Sequence, residues 1–227
     1  MGSSDSSASA DGARPGGVEP TRSVEIELKF DVDSDTAVPD WSAVPGVAAT
    51  SAGEVRELDA AYLDTDDAAL ARAGFALRRR TGGPDAGWHI KGPRRADGGR
   101  VELHWPLDSG EAGAGDAVPA AALAELAAVT DAPLHPLARI RNTRTAYHLL
   151  DAAGGVVAEF ADDRVRTRDE RSGVEREWHE WEVELGPAAP LDAVARAAFF
   201  TAIADAATAA GARPAASDSK LARALGH

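Results

Sequence analysis

The stretch "VEIELKF", residues 24–30, alternates apolar and charged side chains. Because successive side chains of a strand point to opposite sides, it predicts a β-strand with one apolar face and one charged face. The apolar face carries Val24, Ile26, Leu28 and Phe30, and the charged face carries Glu25, Glu27 and Lys29. The charged face could meet water or line an interior, and the stretch alone allows both.

The same alternation recurs in four further segments, in each of which charged residues share one face. These segments are "ALRRR" (76–80), "WHIKG" (88–92), "RVELHW" (100–105) and "EWEVEL" (180–185). A single solvated strand would also alternate in this way, but a solvated sheet has no need for paired acids together with paired arginines. The repetition favours strands whose charged faces line one interior.

Composition limits the classes of protein to consider. A chain of 227 residues that is 44% apolar can bury a sizeable core. The absence of cysteine excludes a disulfide framework and a thiolate metal site. A net charge of -13 argues against nucleic acid as a partner, and no apolar run reaches the roughly 18 residues of a membrane helix. We therefore expect a cytoplasmic protein without nucleic-acid or membrane partners.

The order of elements predicts an α+β fold that is mainly β. Residues 1–22, rich in Ser and Gly, are expected to form a disordered tail before one domain at 23–227. Strands are expected near 23–32, 54–64, 74–82, 87–92, 99–107, 136–150, 155–161, 164–170 and 174–185. Helices are expected at 119–129, 191–211 and 217–225. Strands that do not alternate with helices indicate an antiparallel sheet or barrel with helices outside.

A barrel would explain the charged faces. Closing about eight strands with their apolar sides outward under the helices places the charged sides in the lumen. Buried charge is costly unless it is paired or binds ions. A triphosphate with Mg²⁺ or Mn²⁺ suits such a lumen, because Arg and Lys bind phosphate oxygens and carboxylates hold hard divalent cations.

The segment "EIELKF" (25–30) resembles the Glu-x-Glu-x-Lys signature of the CYTH domain, the triphosphate tunnel metalloenzymes. Further motifs follow in the order typical of that family, over about residues 23–225. They are "YLDT" (62–65), "GFALRRR" (74–80), "WHIKGP" (88–93), "RVELHWPL" (100–107), "PLARIRNTR" (136–144), "EFADDRV" (159–165), "EWEVEL" (180–185) and "SDSK" (217–220). The resemblance implies an eight-stranded antiparallel β-barrel around a hydrophilic triphosphate tunnel, with helices packed outside.

The resemblance also implies roles for individual residues. The implied metal ligands are Glu25, Glu27, Glu102, Asp162, Glu182 and Glu184. The implied substrate-binding residues are Lys29, Arg78, Arg80, Lys91, Arg100, Arg139, Arg141 and Lys220. Glu25, Glu27 and Lys29 are the expected catalytic residues.

Three positions of this pattern are less certain from the residues themselves. Arg144 has the opposite alternation phase and ranks below the two arginines that precede it. Alternation does not choose between Asp162 and Asp163, and the resemblance selects Asp162. His104 stands where the family often has a second acid after Glu102.

The resemblance is nearest to the bacterial inorganic triphosphatases. It implies Mg²⁺- or Mn²⁺-dependent hydrolysis of a triphosphate, above all inorganic tripolyphosphate, and hence a small triphosphate or polyphosphate as the partner. Thiamine triphosphatase, class IV adenylyl cyclase and RNA triphosphatase are alternatives on the same tunnel. A non-catalytic module that binds polyphosphate or nucleotides is a further alternative. The large set of carboxylates favours catalysis, since a pure binder of phosphate needs only the cations.

Overall fold

The computed structural model describes residues 19–96, 98–107 and 117–227. Residues 1–18 of the expected tail lie outside this part of the chain, and the first strand begins at Thr21, two residues before the expected start. The described strands are β1 (Thr21–Glu25), β2 (Glu27–Val32), β3 (Ala49–Thr50), β4 (Glu54–Asp64), β5 (Ala76–Thr81), β6 (Gly87–Arg94), β7 (Arg100–Pro106), β8 (His135–Leu150), β9 (Val156–Asp169), β10 (Glu175–Leu185) and β11 (Arg213–Pro214). The described α-helices are α1 (Ala69–Arg72), α2 (Ala120–Leu126), α3 (Ala193–Ala209) and α4 (Lys220–Leu225).

The strands form one antiparallel sheet, so the expected mainly β architecture is confirmed. The described sheet contains eleven strands in the order β1-β7-β6-β5-β4-β8-β9-β10-β2-β11, with β3 beside β8. Its hydrogen-bonded ladder begins at β1 and ends at β11. The expected closed barrel of eight strands is therefore not confirmed.

The stretch "VEIELKF" (24–30) joins the two sides of this sheet. Its strand is divided at Ile26: β1 pairs with β7, whereas β2 pairs with β10. The carbonyl of Ile26 still accepts a hydrogen bond from the backbone of Leu185 at 3.0 Å. One continuous segment thus contributes side chains to both ends of the sheet order, and its charged residues reach a shared concave surface.

Most predicted elements match the structure to within a few residues, and the differences are local. The two strands expected at 155–161 and 164–170 are one strand, β9, because the pair of aspartates between them stays in the ladder with β8 and β10. The short elements α1, β3 and β11 were not predicted. Each is at most four residues long, too short to carry a periodic pattern.

Apolar side chains pack between the sheet and the helices. Phe30 and Trp181 lie in a buried cluster with Phe199 and Ile203 of α3, while Trp88 and Trp105 lie in a second cluster with residues of α1 and α2. The predicted cover over the apolar face of the first strand is therefore partial, since Val24 remains 47% exposed.

Candidate active site

The charged faces of the strands line a cavity of ≈ 490 Å³. Because side chains alternate along each strand, the sheet can bury aromatic residues under the helices and present charges to the cavity. Ten of the expected site residues line it: Glu25, Glu27, Lys29, Arg78, Arg80, Lys91, Arg100, Glu182, Glu184 and Lys220. Glu102 is buried beside them, 3.2 Å from the guanidinium of Arg78.

Four acids gather on one side of the cavity, and we call Glu25, Glu27, Glu102 and Glu184 the carboxylate-rich group. Glu27 and Glu184 are direct partners across the β2–β10 ladder. Like charges in that position repel each other unless a cation lies between them. Lys91 supplies one cation, with its Nζ 2.5 Å from Glu25 and 4.0 Å from Glu102.

Glu25 and Glu184 of the carboxylate-rich group hold protons that isolated carboxylates would release. Although burial opposes it, Lys91, His89 and Arg78 hold the pKa of Glu102 well below its usual range. Burial raises the pKa of Glu25 to about 8 against the opposing effect of Lys91, and the nearby Glu102 and Glu184 add to the rise. Burial likewise raises the pKa of Glu184 to about 7, with Glu27 and Glu182 contributing. Positive charge in this part of the cavity is therefore insufficient for the acids present.

A second set of acids surrounds an ammonium group, and we call Lys220 with Asp163, Glu180 and Glu182 the lysine-centred group. The Nζ atom of Lys220 lies 2.9, 2.5 and 2.6 Å from the oxygens of these three acids. One oxygen from each acid lies within 4.8 Å of the others, a spacing that could also hold a metal ion. The ammonium already occupies that position, so the acids need no further cation.

Helix α4 places this lysine. The side chain of Ser219 accepts a hydrogen bond from the backbone of Ala222 and begins the helix at Lys220. The guanidinium of Arg223 lies 4.5 Å above the ring centre of Trp178 on β10. Although burial opposes it, the surrounding carboxylates hold the pKa of Lys220 well above its usual range.

Of the two adjacent aspartates, Asp163 points inward and Asp162, the expected metal ligand, does not. Asp163 is fully buried, lies opposite Arg144 in one ladder and Glu180 in the other, and accepts two hydrogen bonds from Arg144 at 2.8 and 2.7 Å. Although burial opposes it, Arg144 and Lys220 lower the pKa of Asp163 to about 2. Asp162 lies on the other face of β9 and contacts His179.

The structure also reverses the expected ranking of the arginines on β8. The side chains of Arg139 and Arg141 are 47% and 64% exposed on the outer face, where both contact Asp59. Arg144 lines the cavity and contacts Glu182 at 2.5 Å. The inward face of β8 is apolar near Ile140, which packs with α4, so charge alternation in that stretch marks the outer face.

Two further expected phosphate ligands are held by the protein itself. Arg100 donates hydrogen bonds to the carbonyls of Gly92 at 2.6 Å and Gly74 at 3.2 Å. Arg80 contacts the carboxylate of Asp85, and burial, together with Arg78 and Arg144, lowers the pKa of Arg80 to about 9. Both side chains still line the cavity.

Two histidines lie near Glu102, and one of them contacts it. His89 is buried, with Nδ1 2.9 Å from Glu102 and Nε2 3.0 Å from the carbonyl of Asp85. Burial lowers the pKa of His89 to about 3. His104, at the position where a second acid was expected, stacks on this ring with centres 4.7 Å apart. The site therefore receives no carboxylate from residue 104.

Several residues in or beside the cavity were not predicted from the sequence. Glu180 shares the alternation phase of Glu182 and Glu184, so the alternation in "EWEVEL" could have identified it. Tyr62, whose hydroxyl lies 3.3 Å from Arg78, belongs to the quoted segment "YLDT" (62–65) but was assigned no role in the site. Arg56 on β4 lines the cavity but lies in no segment that carried the resemblance.

Comparison with known proteins agrees with this geometry. The family model described as "CYTH domain" matches residues 23–202, most of the chain. The chain belongs to the CYTH domain family. Its relatives include the uncharacterized proteins Rv2226 and MT2285 of two Mycobacterium tuberculosis strains, each 39% identical over 218 residues, 91% of this chain. The chain spans about two fifths of the length of these relatives, 41% of each.

Solved structures share the CYTH fold at low identity. The PH1819 protein of Pyrococcus horikoshii has a TM-score of 0.53 and 14% identity, covering 88% of this chain and 98% of its own. The Hippeastrum protein HpAC1, a suggested adenylyl cyclase that reveals a dominant triphosphatase activity, has a TM-score of 0.54 and 16% identity over 89% and 94% of the two chains. In the part of the CYTH chain that the structure describes, helices are too short or too polar to cross a membrane.

Proposed function

We propose that the CYTH chain is a divalent-metal-dependent triphosphatase whose preferred substrate is inorganic tripolyphosphate. The observation that carries this proposal is the composition of the cavity: cations from β2, β5, β6, β7 and α4 face a group of acids in which Glu25 and Glu184 have raised pKa values. A polyanion alone would suit the cations, and a metal ion alone would suit the acids. A metal–triphosphate complex suits both.

The cations are suited to phosphate oxygens. Lys29, Lys91 and Arg78 line the cavity, and each has a carboxylate partner that a phosphate oxygen could replace. A guanidinium can bind two oxygens at once, whereas an ammonium acts as a point charge. These three residues would bind and orient the substrate, and would stabilise negative charge on the leaving diphosphate.

The carboxylate-rich group fits Mg²⁺ or Mn²⁺. Its donors are hard oxygens, which both ions prefer, and the raised pKa values of Glu25 and Glu184 indicate that Lys91 does not offset the burial of these acids. We assign Glu25, Glu27 and Glu184 as ligands, with Glu102 held nearby by His89 and Arg78. A bound metal ion would neutralise phosphate oxygens and lower the pKa of a coordinated water.

The protein side chains then have a limited task, because phosphoryl transfer depends mainly on positioning and charge neutralisation. Glu27 would accept the proton of the attacking water, since it belongs to the carboxylate-rich group and also lies 3.1 Å from the Nζ atom of Lys29. Lys29 would hold the phosphoryl group beside that water.

The lining favours an inorganic substrate over a nucleotide or thiamine triphosphate. Among the described lining residues, Tyr62 is the sole Phe, Tyr or Trp, and its hydroxyl is engaged with Arg78. A base or thiazole ring would lack a second aromatic surface on which to stack.

Phosphate release tests the proposal. The purified protein would be assayed with tripolyphosphate, thiamine triphosphate, ATP and long-chain polyphosphate, each with Mg²⁺, Mn²⁺ or EDTA. We expect fastest release from tripolyphosphate, none with EDTA, and none from Glu25→Gln or Glu184→Gln. Glu177→Gln, on the exposed face, serves as the matched control and should keep full activity. Faster release from ATP, or release in EDTA, would overturn the proposal.

A further inference from the structure

A second cationic region borders the candidate active site, and it begins with two arginines that face each other. Arg56 of β4 and Arg144 of β8 are direct partners across the ladder. Both line the cavity, and their side chains are only 11% and 16% exposed. Guanidinium groups placed directly opposite each other repel unless an anion is shared between them.

The acids near these two arginines do not bind all of their donor groups. Arg144 is already bound by Asp163 and Glu182, whereas Arg56 contacts Glu159 at 3.2 Å and the exposed Glu54 at 2.8 Å. Glu159 is shared three ways, because it also lies 3.8 Å from Arg144 and 3.6 Å from His148. The buried Nε of Arg56 has no hydrogen-bond partner among the described residues.

This region lies next to the proposed metal ligands. His148 is the ladder partner of Glu159, and Glu159 is in turn the partner of Glu184. Along β4, Arg56 lies four residues from Ala60, the partner of Arg80, a distance of roughly 13 Å at about 3.3 Å per residue. An anion that is bound at Lys29, near Glu184, can therefore extend towards Arg56 and away from Arg80.

We propose that Arg56 and His148, with Arg144, form an additional anion subsite that binds phosphate units beyond the first three of a linear inorganic polyphosphate. This inference rests on the proposed function and extends its substrate to longer chains. Glu159 holds the cations together in the free protein and gives way to the incoming phosphate. His148, with its side chain 45% exposed, marks the side on which the chain leaves the cavity.

Binding at different chain lengths tests the subsite. Calorimetry without metal would compare tripolyphosphate with a long-chain polyphosphate, counted per binding site. We expect the wild-type protein to bind the long chain about tenfold more tightly, the effect of one charge-assisted hydrogen bond. Arg56→Met should remove this difference and leave tripolyphosphate affinity unchanged. Arg139→Met, on the outer face, is the matched control.

Two more variants separate the subsite from a structural role of Arg56. His148→Gln should also reduce the preference for the long chain, and Glu159→Gln should increase it by removing a competing anion. Equal affinity of the wild-type protein for both ligands, or equal weakening of both by Arg56→Met, would overturn the inference. A chain-length preference without any phosphate release would refute the proposed function and leave the subsite standing.

Discussion

The carboxylate-rich group and the lysine-centred group lie side by side, yet two acids of the first and two of the second have pKa values shifted in opposite directions. In the first, Glu25 and Glu184 have raised pKa values and hold protons near neutral pH. In the second, Asp163 and Glu182 have lowered pKa values, because Lys220 and Arg144 outweigh the effect of burial. The direction of the pKa shift therefore depends on whether the cations of the protein outweigh the effect of burial.

This difference separates a binding site from a structural ion-pair network. Close spacing alone selects Asp163, Glu180 and Glu182 as a metal site. The raised pKa values of Glu25 and Glu184 favour the proposed metal site in the carboxylate-rich group instead, because the nearby lysines do not offset the burial of these two acids. In this proposal the acids around Lys220 hold α4 in place, and Glu25 and Glu184 bind the metal ion.

The largest expected contrast is between two glutamates on the same strand. Glu182→Gln should destabilise the metal-free protein by about 3–5 kcal/mol, because Lys29, Lys220 and Arg144 lose a buried counter-charge. Glu184→Gln should leave the protein as stable as before or more stable at pH 8, because it relieves repulsion. Urea unfolding of both variants measures this contrast, and equal losses of stability would contradict it.

A slightly smaller effect should follow from removing the ammonium. Lys220→Met would leave three buried acids without their central cation and make the lysine-centred group resemble the other one. Mn²⁺ should then stabilise this variant by about 2.7 kcal/mol more than the wild-type protein. This value applies to an Mn²⁺ concentration about 100 times the dissociation constant of the new site. Thermal unfolding with and without Mn²⁺ tests this, with Arg223→Met on the same helix as control. No added stabilisation would mean that the three acids are wrongly spaced for a metal.

The pH dependence of stability should reflect the carboxylate-rich group. A carboxyl group whose pKa is raised by folding stabilises the protein below its unfolded pKa, and this stability is lost as pH rises through the folded value. Glu25 and Glu184 therefore predict a loss of several kcal/mol between about pH 4.5 and pH 8 in the metal-free protein, at about 1.4 kcal/mol per pKa unit. Saturating Mg²⁺ should reduce the loss, and a stability that rises over this interval would contradict the assignment.

The smallest effects are expected on the outer face. Arg141→Gln should change stability by less than about 0.5 kcal/mol and leave phosphate release unchanged, because the side chain is exposed and its ion pair with Asp59 is surrounded by water. Arg144→Gln is its counterpart inside the cavity and should lose both stability and activity. Similar behaviour of the two variants would show that the two faces of β8 are wrongly distinguished.

The sequence predicted the inward residues well wherever charge faces the cavity. Glu25, Glu27, Lys91 and Glu184 all follow from alternation, because burial under helices on one side forces charges to the other. The same rule failed on β8, where α4 packs on Ile140 and makes the inward face apolar, so the alternating Arg139 and Arg141 face outward.

Other parts of the site depend on pairings between distant strands, which a single sequence does not reveal. Adjacent aspartates at 162 and 163 point to opposite faces, and only the ladders to Arg144 and Glu180 decide which one is inside. The shared role of Glu159 likewise depends on Arg56, 103 positions away in the chain.

Proton release on metal binding tests the central claim most directly. Calorimetric titration of Mn²⁺ into the metal-free protein at about pH 6.5, in buffers with different ionisation enthalpies, counts the protons released. If the carboxylate-rich group binds the metal, about one proton or more is released per ion. Glu184→Gln then loses both the proton release and the affinity for Mn²⁺. Glu180→Gln keeps the proton release and the affinity of the wild-type protein. Binding without proton release that survives Glu184→Gln and disappears in Glu180→Gln would place the metal in the lysine-centred group and contradict the account.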